Sequence, residues 1–388
     1  MRESVFEQSF ISMVREVFQT EEFIPLHAPR FSGREKELVL ETLDSTFVSS
    51  IGEFVCQFER ELTQYTGAGF GVATSSGTAA LHTALILAQV VQNDEVITTP
   101  LTFVATCNAI TYCGASPVFV DVDHDTLGLC PVALEGFLRE CTDVGDDGLC
   151  RNRLSGKIIR ACVPVHNLGH PAKVEKISLI CSQYNIALIE DAAESLGSWQ
   201  NGIHTGRIGR LGVFSFNGNK IITTGGGGAL ITDDESLALR AKYLTTTAKR
   251  SHPWLFQHDE VGFNYRLPNL NAALGCAQLE QLEKFVSAKR WLTLRYEDFF
   301  SHWPEVSLFA EPSGARSNCW LNAILLQDRE ARDRFLDRTN KSGVMTRPMW
   351  TPMHTLPMYR DCYRSSLSTA ISIEERLVNI PSSAVGLQ

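Results

Sequence analysis

Short apolar runs alternate along residues 69–190 with longer segments in which apolar side chains recur at helical spacing. The runs have the length of strands, and they occupy residues 71–73, 95–98, 117–121, 157–165 and 186–190. The segments with helical spacing occupy residues 78–91, 104–112 and 174–184. This alternation predicts the α/β class, with a mostly parallel sheet covered by helices. The continuous apolar run at residues 186–189 is typical of a strand buried on both faces.

A chain of 388 residues is too long for one small core, and its length predicts a large domain followed by a smaller one. Apolar residues at helical spacing predict a helical appendage over residues 1–22, ahead of a large domain over residues 23–280. A long helix over residues 269–300 is expected to carry the chain into a smaller α+β domain, residues 281–388.

Two further segments help to define the large domain. Residues 53–65 predict a helix that ends at Gly67. Residues 140–156 are polar and contain glycine, which indicates a surface loop or insertion.

The charge balance and the cysteines limit the class of protein. A net charge of −9 lacks the electrostatic footprint of nucleic-acid binding. No stretch approaches the roughly 20 apolar residues that span a bilayer, and the first residues lack the apolar core of a signal peptide. Eleven cysteines without a C-x-x-C pair favour free thiols in a reducing compartment over a disulfide framework. We therefore expect a cytoplasmic protein with neither nucleic-acid nor membrane partners.

Four short segments contain candidate functional residues, and each has an ordinary structural alternative. The first, residues 74–81, is a small glycine-containing turn that opens a helix, so Ser76, Gly77 and Thr78 are candidates for phosphate binding. A plain helix cap accounts for the same residues. In the second, Glu190 and Asp191 follow a buried strand, at the strand end where catalytic groups are favoured; the alternative is an acidic turn that caps the next helix.

In the third segment, residues 213–228, a strand leads into a turn that presents Lys220, and Ser215 stands five residues earlier. A lysine there is suited to Schiff-base chemistry with an aldehyde, and Ser215 to holding a phosphate. The alternative is a solvated lysine beside a flexible glycine-rich loop. The fourth segment, residues 262–269, contains Asn264 and Arg266 ahead of a helix, and its pattern suits either a partner-facing loop or a helix cap.

The order of these four segments resembles the sugar aminotransferases of the DegT/DnrJ/EryC1/StrS family. The resemblance extends from about Ile24 to Ser382. It implies the fold-type-I architecture of pyridoxal-phosphate-dependent transferases, a large αβα domain with a smaller α+β domain, and a homodimer with shared active sites. By position, Lys220 looks like the lysine that binds the cofactor aldehyde, and Asp191 like the partner of the pyridine nitrogen.

The resemblance also implies a set of cofactor contacts. Gly77 and Thr78 would offer backbone N–H groups to the phosphate next to Ser76, and Ser215 would offer its hydroxyl. Phe103 would stack on the cofactor ring, and Glu194 would lie near the cofactor hydroxyl. Asn217 stands where relatives usually carry histidine, and Asn264 would reach the phosphate from the neighbouring subunit. Gly226 departs from the glutamate usual in relatives.

A narrower resemblance concerns the substrate. The segments at residues 23–27, 44–50, 223–228 and 344–348 look like the branch that makes 4-amino-4,6-dideoxy sugars. That branch implies L-glutamate as donor and a UDP-linked 2-acetamido-2,6-dideoxy-4-keto-hexose as acceptor, with GDP- and dTDP-linked keto-sugars as alternatives. Arg266, Arg347 and His354 are candidates for binding the diphosphate or the sugar. A structural ion pair at Arg266 and a packed proline-rich loop around Arg347 and His354 are equally compatible with the sequence.

Three other functions have less support in the sequence. Dehydratase relatives replace the lysine with histidine, so Lys220 argues against them, and a non-catalytic regulator or scaffold would not need the lysine, the acidic pair and the turn together. A nicotinamide oxidoreductase is disfavoured because no G-x-G-x-x-G follows an early strand. The pair His166 and His170 has a spacing that suggests a metal site, but Gly169 and Pro171 break any helix there, and we predict no metal.

Overall fold

The computed structural model describes residues 2–386, with side chains from residue 5 onward. Its α-helices are α1 (Arg2–Phe18), α2 (Glu35–Asp44), α3 (Glu53–Thr66), α4 (Gly77–Leu87), α5 (Val104–Tyr112), α6 (Pro131–Cys141), α7 (Val174–Gln183), α8 (Glu235–Thr245), α9 (Asn269–Leu279), α10 (Leu282–Phe300), α11 (Arg329–Lys341) and α12 (Ser368–Arg376). Its strands are β1 (Phe70–Thr74), β2 (Glu95–Thr98), β3 (Ser116–Phe119), β4 (Thr142–Val144), β5 (Cys150–Asn152), β6 (Ile159–Val163), β7 (Ala187–Asp191), β8 (Trp199–Gln200), β9 (Ile203–His204), β10 (Leu211–Ser215), β11 (Gly228–Thr232), β12 (Ser307–Leu308), β13 (Ala315–Arg316), β14 (Asn322–Leu325), β15 (Arg347–Pro348) and β16 (Leu377–Ile380).

A seven-stranded sheet forms the centre of the larger part of the chain, in the order β1-β11-β10-β7-β6-β2-β3. Strands β10, β7, β6, β2 and β3 pair in parallel, whereas β11 is antiparallel to both of its neighbours. The sheet confirms the predicted α/β class with mostly parallel strands. Because parallel strands end on one edge, the residues that follow β7 and β10 lie close together there.

Helix α4 carries the first candidate segment into the core. Most of its residues are buried, including Ala80, Leu81, Ala84 and Leu85, as expected for a helix that is apolar on most sides. Its first residue follows directly from the turn after β1, so the N-terminus of the helix points to the edge where β10 ends. The helix ends at Leu87, earlier than the predicted residue 91, because Gln89 turns into the left-handed region at φ 62°.

The second part of the chain contains a four-stranded antiparallel sheet, in the order β12-β14-β16-β15, with α10, α11 and α12. The predicted single helix over residues 269–300 was wrong, since it is two helices that separate at Glu280 and Gln281. Helix α9 and the first half of α10 bury their apolar sides in one core, and the second half of α10 enters another. Ala272 and Ala273 of α9 lie in the core of the large sheet, and Leu292 and Tyr296 of α10 in that of the second. We propose that the domain boundary, predicted after residue 280, lies at this break.

The N-terminal segment, predicted to be helical, and residues 140–156, predicted to be a surface loop or insertion, both contain regular structure. Phe6, Phe10 and Val14 of α1 pack into the core formed by α10, α11 and the second sheet, so this helix is anchored to the smaller domain. Residues 140–156 contain the hairpin formed by β4 and β5. The predicted helix over residues 53–65 is confirmed as α3, which ends at Gly67 with φ 75°. Among residues 2–386, no helix is long and apolar enough to cross a bilayer.

Candidate active site

A cavity of 720 Å³ opens at the carboxyl edge of the large sheet and extends to the second sheet. Its volume lies in the range of small-molecule sites. Ten of the sequence candidates line it: Ser76, Gly77, Thr78, Phe103, Asp191, Glu194, Ser215, Asn217, Lys220 and Arg347. Segments that are far apart in the chain thus meet in one place, as the ends of β1, β7 and β10 require. A second cavity, of 550 Å³, lies beside Lys173 and Phe309 and contains none of these candidates.

Asp191 is the last residue of β7, and its side chain is held in a buried position. The Thr106 hydroxyl donates to Oδ2 at 2.8 Å, and the Ala193 N–H donates to Oδ1 at 3.2 Å. Burial raises the pKa of the carboxyl, while the hydrogen bond from Thr106 acts in the opposite direction. Both of these donors are neutral, so neither balances the negative charge of the carboxylate. A cationic N–H group that enters the cavity would stabilise that charge.

Lys220 approaches the same cavity from the loop after β10. Its Nζ lies 3.5 Å from Oε1 of Glu194 and 4.2 Å from the centre of the Trp320 ring. The Glu194 side chain is buried, and its Oε2 accepts the Leu168 N–H at 2.8 Å. Burial raises the pKa of Glu194 to about 7, although the nearby charge of Lys220 lowers it. The Glu194 carboxyl is therefore partly protonated near neutral pH.

Glu190, the other acidic residue of the second segment, has a structural environment. Its side chain is fully buried and accepts N–H groups from Gly206, Ile208 and Gly209 as well as a bond from His166 Nε2. Burial raises the pKa of Glu190, but the hydrogen bonds outweigh it and the net shift is downward. The other ring nitrogen of His166 accepts the Ala172 N–H, so both of its nitrogens take part in structural bonds.

The turn before α4 is packed tightly against β10 and β11. Ser76 caps the helix, since its Oγ accepts the Ala79 N–H at 3.1 Å. A Cβ added to Gly77 would lie 2.8 Å from the Ser215 Cβ, and one added to Gly228 would lie 2.4 Å from the Gly77 nitrogen. The first N–H groups of a helix have no partner within it. The helix end and the Ser215 hydroxyl therefore form a tight cradle of a kind that suits an anion, and a carbon added at Gly77 would have to displace Ser215.

Three sequence candidates do not line the cavity in this chain. Asn264 is exposed, and its Oδ1 accepts from Arg266 Nε and Nη2 at 3.2 and 3.1 Å. Both residues belong to a strip that runs beside the end of β1, where the Ser75 N–H donates to the Tyr265 carbonyl at 2.7 Å. His354 packs edge-on against Phe119, with ring centres 6.5 Å apart. The Nδ1 of His354 has no hydrogen-bond partner among the described residues.

Several cavity residues were not predicted from the sequence, and three of them have polar or aromatic side chains that bear on the site. They are Thr106, which orients Asp191, Trp320, which lies over Lys220, and Asn379 of β16. Asn379 is buried and pairs across the second sheet with Arg347, and its Oδ1 has no partner within residues 2–386. A polar side chain in the apolar strand of residues 377–380 was the signal that could have identified it.

The comparisons with known proteins agree with this geometry. The profile of the DegT/DnrJ/EryC1/StrS aminotransferase family matches residues 29–385. The chain is 38% identical over 336 residues to EpsN of Bacillus subtilis (strain 168), which is named as a pyridoxal phosphate-dependent aminotransferase; the alignment covers 87% of this chain and 84% of EpsN. It is 35% identical over 360 residues to the GDP-perosamine synthase of Escherichia coli O157:H7, and the alignment covers 93% of each protein.

A solved structure extends the comparison to the fold. The aminotransferase TlmJ from Streptoalloteichus hindustanus superposes with a TM-score of 0.84 and is 28% identical. The superposition covers 93% of this chain and 93% of that one, so the similarity extends over nearly the whole chain.

Proposed function

Since this chain belongs to the DegT/DnrJ/EryC1/StrS family of pyridoxal-phosphate-dependent sugar aminotransferases, we propose that it moves the amino group of L-glutamate to C4 of a nucleotide-linked 4-keto-6-deoxy sugar. One observation carries the proposal most directly. One cavity is lined by the amine of Lys220, the buried carboxylate of Asp191 and the helix end at Gly77, where an anion would fit. These are the three groups that an aldehyde, a pyridine nitrogen and a phosphate require.

Pyridoxal phosphate, when bound, supplies an aldehyde that takes up amino groups and a ring that accepts the electron pair of a leaving proton. Lys220 would hold the group through its amine, and its free amine would take a proton at Nζ and return it. Asp191, when ionised, would keep the ring nitrogen protonated. Glu194 buffers the charge of Lys220, because its carboxyl lies 3.5 Å from Nζ and its pKa is raised to about 7.

The second sheet contributes the groups that suit a sugar nucleotide. Arg347 offers a guanidinium for the diphosphate, and the neighbouring Asn379 offers an unpaired carbonyl oxygen for a sugar hydroxyl or amide N–H. The sequence motifs at residues 223–228 and 344–348 favour a UDP-linked 2-acetamido-2,6-dideoxy-4-keto-hexose. A GDP-linked keto-sugar is the second candidate, because the GDP-perosamine synthase of Escherichia coli O157:H7 is 35% identical to this chain.

A spectroscopic experiment tests both halves of this function. Purified protein is expected to absorb in the visible region with pyridoxal phosphate bound, and L-glutamate should convert that band to one at shorter wavelength while 2-oxoglutarate is released. UDP-, GDP- and dTDP-linked 4-keto-6-deoxy sugars are then added separately, and the UDP-linked sugar should restore the visible band fastest. Faster restoration by the GDP-linked sugar would select the second candidate. Failure to take up pyridoxal phosphate would reject the proposal altogether.

A second copy of the chain is the proposed partner in a homodimer with shared sites. The segment before Asn264 exposes large apolar side chains, with Trp254 75%, Phe256 78% and Val261 82% accessible. Exposed apolar groups of this size are typical of a surface that is covered in an assembly. Asn264 lies at the end of this segment and is exposed, which suits a side chain that reaches the phosphate in the partner subunit.

The free thiols support the further proposal of a cytoplasmic location.

Replacement of Gly77 by alanine should weaken binding of pyridoxal phosphate about tenfold or more, because the new methyl group displaces Ser215 and narrows the cradle. Titration of cofactor-free protein, followed by the visible absorbance, measures the dissociation constant. Gly136→Ala is the matched control, since nothing lies within 4 Å of a Cβ at that position. Unchanged affinity in Gly77→Ala would contradict the assignment of this turn to the phosphate.

A further inference from the structure

Trp320 contacts both the amine and the loop of Lys220. The lysine Nζ lies 4.2 Å from the ring centre, and the indole Nε1 donates to the carbonyl of Asn219 at 2.7 Å. Asn219 is the residue immediately before the lysine. One side chain from the second half of the molecule thus fixes the backbone of the lysine loop and covers one side of the amine.

The backbone of Trp320 is itself fixed by a buried lysine. Lys289 of α10 has no exposed surface, and its Nζ donates to the Trp320 carbonyl at 3.0 Å and to the Ser382 carbonyl. Burial lowers the pKa of Lys289 to about 7. A buried amine is costly unless it is hydrogen-bonded, and the two carbonyls supply those bonds.

The rest of the segment around Trp320 is tied to the cofactor side of the cavity. The Trp320 N–H donates to Asn318 Oδ1 at 2.8 Å, and Asn318 Nδ2 donates to the carbonyls of Glu194 and Leu196, both at 2.9 Å. The indole therefore lies between two anchors, Lys289 on one side and the turn after β7 at Glu194 on the other.

We propose that Trp320 positions the free amine of Lys220 for proton transfer and stabilises its ammonium form, and that Lys289 is the positioning residue that holds Trp320 there. The proposal rests on the proposed function, in which Lys220 takes and returns a proton. An aromatic face attracts an ammonium but gives little to a neutral amine. An indole over Nζ thus favours the protonated state that follows proton uptake. It also limits the rotamers that the free Lys220 side chain can adopt.

Other ionisable groups lie near the same amine. Glu194 and Asp191 face Lys220 from β7 and the residues after it, and His27 faces it from the segment before α2. Burial lowers the pKa of His27, and the charges of Lys289 and Lys220 lower it further. Both lysines therefore lie within electrostatic range of His27. A test must therefore separate the contact with the indole from the charge of Lys289.

Competitive acetylation of cofactor-free protein provides that test without any dependence on turnover. The rate at which acetic anhydride labels Lys220 is measured by peptide mass spectrometry at about pH 7.5 and at its high-pH plateau. The plateau reports access to the amine, and the ratio of the two rates reports the fraction that is unprotonated. We expect Trp320→Leu to raise this ratio about three- to tenfold, and Trp320→Phe, which keeps an aromatic face, to stay within about twofold of the parent.

The role of Lys289 is read from a double-mutant cycle. Lys289→Met should raise the ratio if it lets the indole move away, and it should have no effect in the Trp320→Leu background. A lowered ratio would instead reveal a direct effect of the lost charge and overturn the role of Lys289. Lys284→Met, at an exposed position of α10, is the control.

A parent-like ratio in Trp320→Leu would reduce Trp320 to a packing residue and overturn the proposal. Thermal unfolding of each variant checks that it folds. Trp320→Met, which also lacks an aromatic face, replaces the leucine variant if that one does not fold, and the same roughly three- to tenfold increase of the ratio is expected of it. The labelling needs no cofactor, so its outcome is independent of whether the protein proves to be an aminotransferase.

Discussion

Lys220→Ala should reduce the rate of amino transfer from L-glutamate at least about 10⁴-fold, because the variant loses both the covalent attachment of the cofactor and the base that moves the proton. Stopped-flow absorbance of each half-reaction, run with a single turnover of enzyme, measures the loss. The fold should survive, since the Lys220 side chain points into a cavity and its removal leaves the cores of both sheets intact. Lys284→Ala, at an exposed position, should retain the parent rate.

Two additions make this experiment more specific. A small external amine should recover part of the activity of Lys220→Ala, because it can enter the cavity and accept the proton in place of Nζ. Mixing Lys220→Ala with Asn264→Ala subunits should restore about a quarter of the parent activity if each site combines the two residues from different subunits. Random assortment makes about half of the dimers mixed, and one of the two sites in a mixed dimer then has both parent residues. Near-normal turnover by Lys220→Ala alone would remove the central assignment.

The parts of the site that the sequence predicts are those that a local sequence pattern indicates. The turn before α4 is identified by small residues between a strand and a helix, and Asp191 and Ser215 by their position at the ends of apolar strands. Strand ends on one edge of a parallel sheet must converge, so the meeting of these residues in one cavity follows from the fold class. Lys220 is identified because the same chain order is found in the sugar aminotransferases.

The parts that could not be predicted depend on contacts between distant residues. Trp320 bonds to a carbonyl 101 positions away, and Thr106 donates to a carboxylate 85 positions away. Nothing in the local pattern marks either side chain as part of a site. The path of α10 has the same origin, because the first half of this helix packs into the core of the large sheet and the second half into the core of the second sheet.

The adjacent carboxylates of β7 illustrate the limit most clearly. In a strand, neighbouring side chains point to opposite faces, so Glu190 and Asp191 must enter different environments. The sequence does not tell which face receives the cavity. The choice is made by the turn at Gly206, Ile208 and Gly209, whose N–H groups saturate Glu190 and leave Asp191 as the carboxylate that can serve a ligand.

Asp191→Asn should therefore bind the cofactor and fold normally, and it should lose about 10²- to 10³-fold in the rate of both half-reactions. The amide keeps the shape of the side chain but has no negative charge to keep the ring nitrogen protonated, so the ring accepts the electron pair less readily. Absorbance of the bound cofactor checks occupancy, and stopped-flow measurements give the rates. Near-parent rates with full occupancy would show that the charge of Asp191 has no part in the chemistry.

Stability of the cofactor-free protein supplies an independent check, because the pKa values of the two carboxylates shift in opposite directions. Burial raises the pKa of Asp191 in the folded state, so its ionisation opposes folding above the unfolded pKa, and Asp191→Asn should unfold at the same temperature as the parent or higher at neutral pH. The pKa of Glu190 is lowered despite burial, so its charge favours folding above the unfolded pKa and that contribution disappears as the pH falls through the folded pKa. Glu190→Gln should consequently lower the unfolding temperature at neutral pH and have little effect in acid. If Asp191→Asn were the destabilising variant instead, its carboxylate would be a structural anchor, and the ring nitrogen would need another partner.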